Sequence, residues 1–96
     1  MPNGILQSDC LYSLEVVESV DKIFKKLQKK DRAQFDSVDR KVCEILANPL
    51  QFKPLKNPMQ HMRRVHVGSF VIVYDVDEAR QVVTIRRYEH HDRVYK

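Results

Sequence analysis

Residues 63–88, RRVHVGSFVIVYDVDEARQVVTIRRY, decide the fold, because apolar and polar residues alternate through them between two turn signals. Gly68-Ser69 fits a two-residue turn with glycine at its first central position. Residues 77–80, DEAR, fit a four-residue turn. The stretch and its flanks therefore predict three antiparallel strands, over residues 61–67, 70–76 and 81–88.

The sequence before this meander predicts one short strand and two amphipathic helices. Residues 12–17, YSLEVV, are typical of a strand. Asp31 is suited to cap the second helix, and Asn48-Pro49 to end it. The apolar stripes of the two helices are Val20, Ile23, Phe24, Leu27 and Phe35, Val38, Val42, Ile45, Leu46. The expected fold class is α+β: an N-terminal strand, a two-helix hairpin and a three-stranded antiparallel meander, with the helices packed on one sheet face.

Length and composition indicate one globular domain. Of the 96 residues, 43% are hydrophobic, and no apolar run approaches the roughly 20 residues that span a bilayer. We expect a tail over residues 1–11 and a single domain over residues 12–96. The tail lacks the features of a secretory signal, and Cys10 and Cys43 are too few for a disulfide framework. A cytoplasmic protein without a membrane partner is expected, with Cys43 as a small core residue.

Strand alternation sorts the meander into two faces. Pairing Val67 with Phe70 and Val76 with Gln81 makes one face almost entirely apolar, and the helices must cover it. We call the opposite side the distal face, and expect it to lack carboxylates at its strand centres. Its expected members are Arg64, His66, Val71, Val73, Val82, Thr84, Arg86 and Tyr88. An apolar centre with a basic rim predicts that a partner packs there.

The net charge of +4 is carried by residues 51–96, which also hold all four histidines, His61, His66, His90 and His91. A solvated basic surface is one interpretation, and a binding site for a polyanion is the other. Cleaving RNA without a metal requires a base for the 2′-OH, a cation for the phosphate and an acid for the leaving oxygen. The catalytic candidates are Arg64, His66, Arg86, His90, His91 and Tyr95. The candidates for binding RNA phosphates are Lys53, Lys56, Arg63, Arg87, Tyr88 and Arg93.

A metal site is an alternative use of His90, His91 and Asp92. Adjacent side chains diverge in a regular strand or helix, so a shared ion requires irregular backbone at this point. The sequence has no CxxC, no Cys/His zinc spacing and no Gly-rich phosphate loop. We expect neither a metal nor a cofactor.

Four short pieces together resemble the RelE/ParE superfamily of toxins: PLK at 54–56, RRVHVG at 63–68, VYDVD at 73–77 and HHDRVY at 90–95. With the preceding strand and helices, the resemblance covers residues 12–95. It implies a toxin held by a cognate antitoxin. RelE-type members enter the ribosomal A site and cut mRNA without a metal, leaving a 2′,3′-cyclic phosphate. An acidic, amphipathic antitoxin segment is expected on the apolar centre formed by Val71, Val73 and Val82.

By position, the resemblance assigns the basic pair of RelE-type members to Arg64 and His66. It assigns the functional C-terminal tyrosine to Tyr95, and a catalytic group to His90 or His91. Two departures are Val71, where an arginine is common, and Glu89, where a glycine is usual. The alternatives are a ParE-like inhibitor of DNA gyrase that cuts nothing, and a degenerate member that only binds an antitoxin or RNA.

Overall fold

The structure, a computed structural model, describes residues 12–52, 54 and 62–94, the last two without their side chains. The elements in order are β1 Ser13–Val16, α1 Glu18–Lys30, α2 Arg32–Ala47, a 3-10 turn Pro49–Gln51, β2 Met62–Val67, β3 Phe70–Asp77, β4 Val82–His90 and α3 His91–Val94. The predicted α+β architecture is confirmed, and α3 is an element that the sequence pattern did not indicate. The expected tail, residues 1–11, lies outside the described residues.

A single residue, Asp31, joins the two helices and caps both of them. Its backbone N–H donates to the Leu27 carbonyl at 2.8 Å, which closes the end of α1. Its carboxylate accepts a hydrogen bond of 3.1 Å from the Gln34 backbone N–H, which satisfies a donor in the first turn of α2.

Among the described residues, no helix is long and apolar enough to cross a membrane.

The four strands form one sheet in the order β1-β4-β3-β2. β2, β3 and β4 pair antiparallel, and β1 lies parallel to β4 because the helical hairpin carries the chain back across the sheet. Val67 pairs with Phe70 as predicted, and Gly68 adopts a φ of 62° in the turn between them. This conformation is one that glycine adopts readily.

The second turn differs from the prediction by one position. Val76 pairs with Val83 rather than with Gln81, and the turn occupies residues 78–81 instead of 77–80. The Asp77 carboxylate accepts a hydrogen bond of 3.1 Å from the Arg80 N–H, which favours turning after Asp77. The pairing partner moves by two residues, so Val83 and Ile85 keep the face expected for them.

The core lies between the helices and the sheet. The predicted stripe of α2 is buried from Val38 to Leu46, with Phe35 half-buried. Two expectations are wrong. Ile23, expected on the apolar stripe of α1, is 38% exposed, and Cys43, expected in the core, is half-buried. The buried core residues are Val20, Val38, Val42, Ile45, Leu46, Val65, Val67, Ile72, Tyr74, Val83, Ile85 and Tyr88.

Two contacts fasten the segment after α2 to the sheet. The hydroxyl of the fully buried Tyr74 donates to the Pro49 carbonyl at 2.6 Å. Burial raises the pKa of Tyr74 to about 12, against the opposing effect of the nearby Arg63 charge. Arg63 Nη1 donates to the Phe52 carbonyl at 2.7 Å. Tyr74 and Arg63 thus hold the segment that follows α2 against the sheet.

Candidate functional site

A bulge in β4 decides which side chains reach the distal face. Val73 pairs with Arg87 and Tyr74 pairs with Ile85, so Arg86 is an extra residue in β4. Arg86 and Arg87 therefore both lie on the distal face, and alternation reverses beyond them. Tyr88 was predicted on the distal face; this is wrong, because the bulge turns it into the core.

Carboxylates lie on the distal face towards the ends of its strands. Asp75 pairs across the strands with Met62 and Thr84, and Glu89 pairs with Val71. The Arg86 guanidinium forms a hydrogen-bonded ion pair with Asp75. Arg87 donates to Glu89 through Nε at 3.1 Å and Nη2 at 2.9 Å. An incoming phosphate must therefore compete with a carboxylate for each of these two arginines.

The expected apolar centre of the distal face is not exposed. Val71 and Val73 have 0% exposed surface and Val82 has 9%. The prediction that these three side chains offer a partner an apolar patch is therefore wrong. Any partner on this face meets mainly polar and charged side chains.

Arg64 and His66 lie on β2, at the edge of the sheet and on the distal face, as predicted. Arg64 is opposite Val73 and is half-buried, whereas His66 is opposite Val71 and is exposed. His66 is one residue from the end of β2, so it lies beside the turn at Gly68. An imidazole and a guanidinium thus share one edge of the face, two residues apart.

His90 and His91 lie at the same end of the sheet, where β4 stops and α3 begins. His90 pairs with Phe70, and its ring meets the Phe70 ring edge-on, with 5.6 Å between centroids. The His91 backbone N–H donates to the Ser69 carbonyl at 3.0 Å, which ties the start of α3 to the β2–β3 turn. The register therefore places His66, His90 and His91 at one end of the sheet, with His66 on the distal face and His90 on the helix-covered face beside Phe70.

Arg63 and Tyr88 both make contacts that support the fold. Arg63 holds the segment after α2, as described above. Tyr88 is 5% exposed, stacks on Phe70 with 4.9 Å between ring centroids, and accepts a hydrogen bond of 2.6 Å from Gln34 Nε2. Burial raises the pKa of Tyr88. Tyr88 therefore offers RNA almost no accessible surface.

Several candidates from the sequence cannot be placed. Lys53, Lys56 and Tyr95 lie outside the described residues, as does His61. Arg93 is in α3, but its side chain is not described. Their roles remain predictions.

The sequence analysis overlooked Asp75, and it named Glu89 only as a departure from the family pattern, without placing it beside Arg87. Asp75 follows the core residue Tyr74 in β3, so strand alternation alone places it on the distal face. Glu89 carried no such signal, since its face depends on the bulge.

The fold and the basic residues at one end of its sheet define a class: small α+β toxins of toxin–antitoxin systems. The family described as ParE toxin of type II toxin–antitoxin system, parDE, matches residues 11–95. The chain belongs to this family and is a toxin of the RelE/ParE superfamily.

The relatives agree with this assignment. An uncharacterized protein of Methanosarcina mazei is 42% identical over 86 residues, covering 88% of this chain and 100% of its own. A Methanocaldococcus jannaschii protein named as toxin RelE4 is 39% identical over 87 residues, covering 90% of this chain and 93% of its own. The RelBE2 toxin–antitoxin complex of Mycobacterium tuberculosis matches in fold, with a TM-score of 0.70 and 20% identity over 82% of this chain and 90% of the other.

Proposed function

We propose that this toxin is a RelE-like endoribonuclease that cuts mRNA in the ribosomal A site without a metal ion and so stops translation in the cytoplasm. The observation that carries the proposal is that three histidines lie at one end of the sheet, with His66 on the distal face that also carries Arg64, and His90 on the helix-covered face. Imidazoles supply the acid and the base that RNA cleavage requires near neutral pH.

The roles follow from chemistry and position. Arg64 is the phosphate ligand, because guanidinium makes paired hydrogen bonds to phosphate oxygens. Arg86 and Arg87 add to it when phosphate displaces their carboxylate partners. One of His66, His90 and His91 removes the 2′-OH proton, and another protonates the leaving 5′-oxygen. The 2′-oxygen attacks phosphorus and leaves a 2′,3′-cyclic phosphate. Tyr95, Lys53, Lys56 and Arg93 are retained as RNA contacts on the basis of sequence.

A cognate antitoxin is the second proposed partner, as in the toxin–antitoxin complex of the Mycobacterium tuberculosis neighbour. Arg64 on the distal face favours an acidic antitoxin segment, whose carboxylates would compete with Asp75 and Glu89 for Arg86 and Arg87. Because Val71 and Val73 are buried, this segment would be held there mainly by charge.

Gyrase inhibition is the competing function, since the family that matches the chain is described by the ParE toxin. The ion pairs of Arg86 and Arg87 also fit a protein that needs no phosphate site. Two assays on the same purified toxin separate the functions: cleavage of mRNA on programmed ribosomes, and supercoiling by DNA gyrase. Cleavage without gyrase inhibition supports the proposal. Gyrase inhibition with intact mRNA refutes it.

Ribosome dependence is part of the proposal, because one sheet face offers little surface for holding RNA alone. The same mRNA should therefore survive incubation with the toxin when ribosomes are omitted. Efficient cutting of naked mRNA at low toxin concentration would contradict this part.

A further inference from the structure

The change from β4 to α3 brings together three side chains that regular backbone would separate. β4 ends at His90 and α3 begins at His91. Because the backbone changes between them, these two neighbouring histidines do not lie on opposite faces of one strand. Their rings stack, with 4.7 Å between centroids and 28° between planes. The irregular backbone that a shared ion requires is therefore present here.

Asp92 completes the cluster. One of its carboxylate oxygens lies 3.1 Å from His91 Nδ1, and the other lies 3.6 Å from His90 Nδ1. One ligand atom from each of the three residues lies within 4.8 Å of the other two. Ligands around tetrahedral Zn²⁺ are about 3.3 Å apart, so closing the cluster on an ion requires a movement of about 1.5 Å or less.

We propose that His90, His91 and Asp92 bind a divalent transition metal of the Zn²⁺ class. Two imidazoles and one carboxylate favour such an ion over Mg²⁺ or Ca²⁺, which take oxygen ligands. Three protein ligands leave a fourth position for water. The backbone N–H of Asp92 donates to His90 Nδ1 at 3.3 Å, and metal binding through Nδ1 replaces this long hydrogen bond.

The site is held in place before an ion arrives. The Phe70 ring contacts the His90 ring, and the Ser69 carbonyl accepts from the His91 N–H. Both partners belong to the β2–β3 turn region, so the turn positions both imidazoles. All three ligand residues are at least partly exposed, and an ion reaches them from solvent.

Metal binding has a regulatory consequence that rests on the proposed function. An ion on His90 and His91 occupies imidazole lone pairs that proton transfer needs. Bound Zn²⁺ therefore inhibits mRNA cleavage, and a chelator restores it. Cleavage itself remains metal-independent.

The test is isothermal titration calorimetry of the full, untagged chain with ZnCl₂ and, separately, MgCl₂. We expect one Zn²⁺ per chain and no heat from Mg²⁺. Asp92→Asn and His91→Gln should each weaken Zn²⁺ binding about tenfold or more, whereas His66→Gln, a histidine outside the cluster, should not. Circular dichroism checks that each variant folds. Equal affinity in all four proteins, or no binding by the wild type, overturns the site.

Cleavage assays on programmed ribosomes test the consequence separately. Zn²⁺ should inhibit the wild type with a midpoint near the calorimetric Kd, and Asp92→Asn should lose this inhibition. Zn²⁺ binding without inhibition overturns the regulatory claim. If the toxin cleaves nothing, the proposed function fails, and calorimetry still decides whether the metal site exists.

Discussion

Glu89→Gln should strengthen RNA binding while leaving the fold almost unchanged. The Arg87–Glu89 side chains are 39% and 32% exposed, so their ion pair belongs to the class that contributes about 0–1 kcal/mol to folding. The substitution should therefore lower the free energy of unfolding by no more than about 1 kcal/mol. It also removes the carboxylate with which phosphate competes for the Arg87 guanidinium.

The expected gain in the free energy of RNA binding is as large as the contribution of the Arg87–Glu89 ion pair that the substitution removes. About 1 kcal/mol corresponds to a roughly fivefold lower Kd for single-stranded RNA. One added phosphate contact should also steepen the plot of log K against log salt by about 0.7. Fluorescence anisotropy of a labelled RNA at several salt concentrations measures both quantities.

Glu44→Gln is the matched control, because it removes one negative charge from α2, where Glu44 pairs with Lys41. It should change Kd slightly and leave the salt slope unaltered. If Glu89→Gln and Glu44→Gln give the same Kd and the same slope, Arg87 does not bind phosphate and the reasoning is refuted.

Three further predictions concern Tyr74 and Arg64. Tyr74→Phe should lower the free energy of unfolding by about 1–3 kcal/mol in urea titrations, because the buried Pro49 carbonyl loses its donor; an unchanged urea midpoint would argue against the contact. Burial raises the folded-state pKa of Tyr74 to about 12 from 10.0. The stability that depends on a protonated Tyr74 is therefore complete below pH 10 and is lost as pH rises through 12. The loss should be roughly 2–3 kcal/mol, and Tyr74→Phe should flatten the alkaline unfolding curve; parallel curves would contradict the assignment. Arg64→Ala should reduce cleavage on ribosomes roughly 10- to 150-fold, with partial rescue by lysine, which lacks the paired donors; full rescue would show that charge alone suffices.

The sequence was informative where local alternation or helical spacing carries the signal. Periodic apolar residues predicted both helices and three strands, and Gly68 located the first turn. The second turn lies one residue later than predicted, but the predicted faces of Val83 and Ile85 remain correct because the register moved by two residues. The same reasoning selected Arg64 and His66 on the distal face correctly.

The bulge at Arg86 is where sequence reasoning failed. No glycine or proline marks it, and arginine is compatible with a regular strand. Its effect reaches every later residue of β4: Arg87 and Glu89 move to the distal face, Tyr88 moves to the core, and His90 moves to the helix-covered face beside Phe70. The sequence offered His90, His91 and Asp92 as an alternative metal site, but the irregular backbone that brings them together depends on where β4 ends and α3 begins, which no residue pattern marks.

The most direct test of the central claim is single-turnover cleavage of mRNA on programmed ribosomes by the wild type and a His90→Gln/His91→Gln variant. Lys41→Gln, a charge change at a side chain that pairs with Glu44 within α2, serves as the control. General acid–base groups contribute about 100- to 10,000-fold, so the double variant should lose activity of that order with an unchanged circular dichroism spectrum. Cleavage at the rate of the wild type and the control would contradict the account and place the chemistry elsewhere.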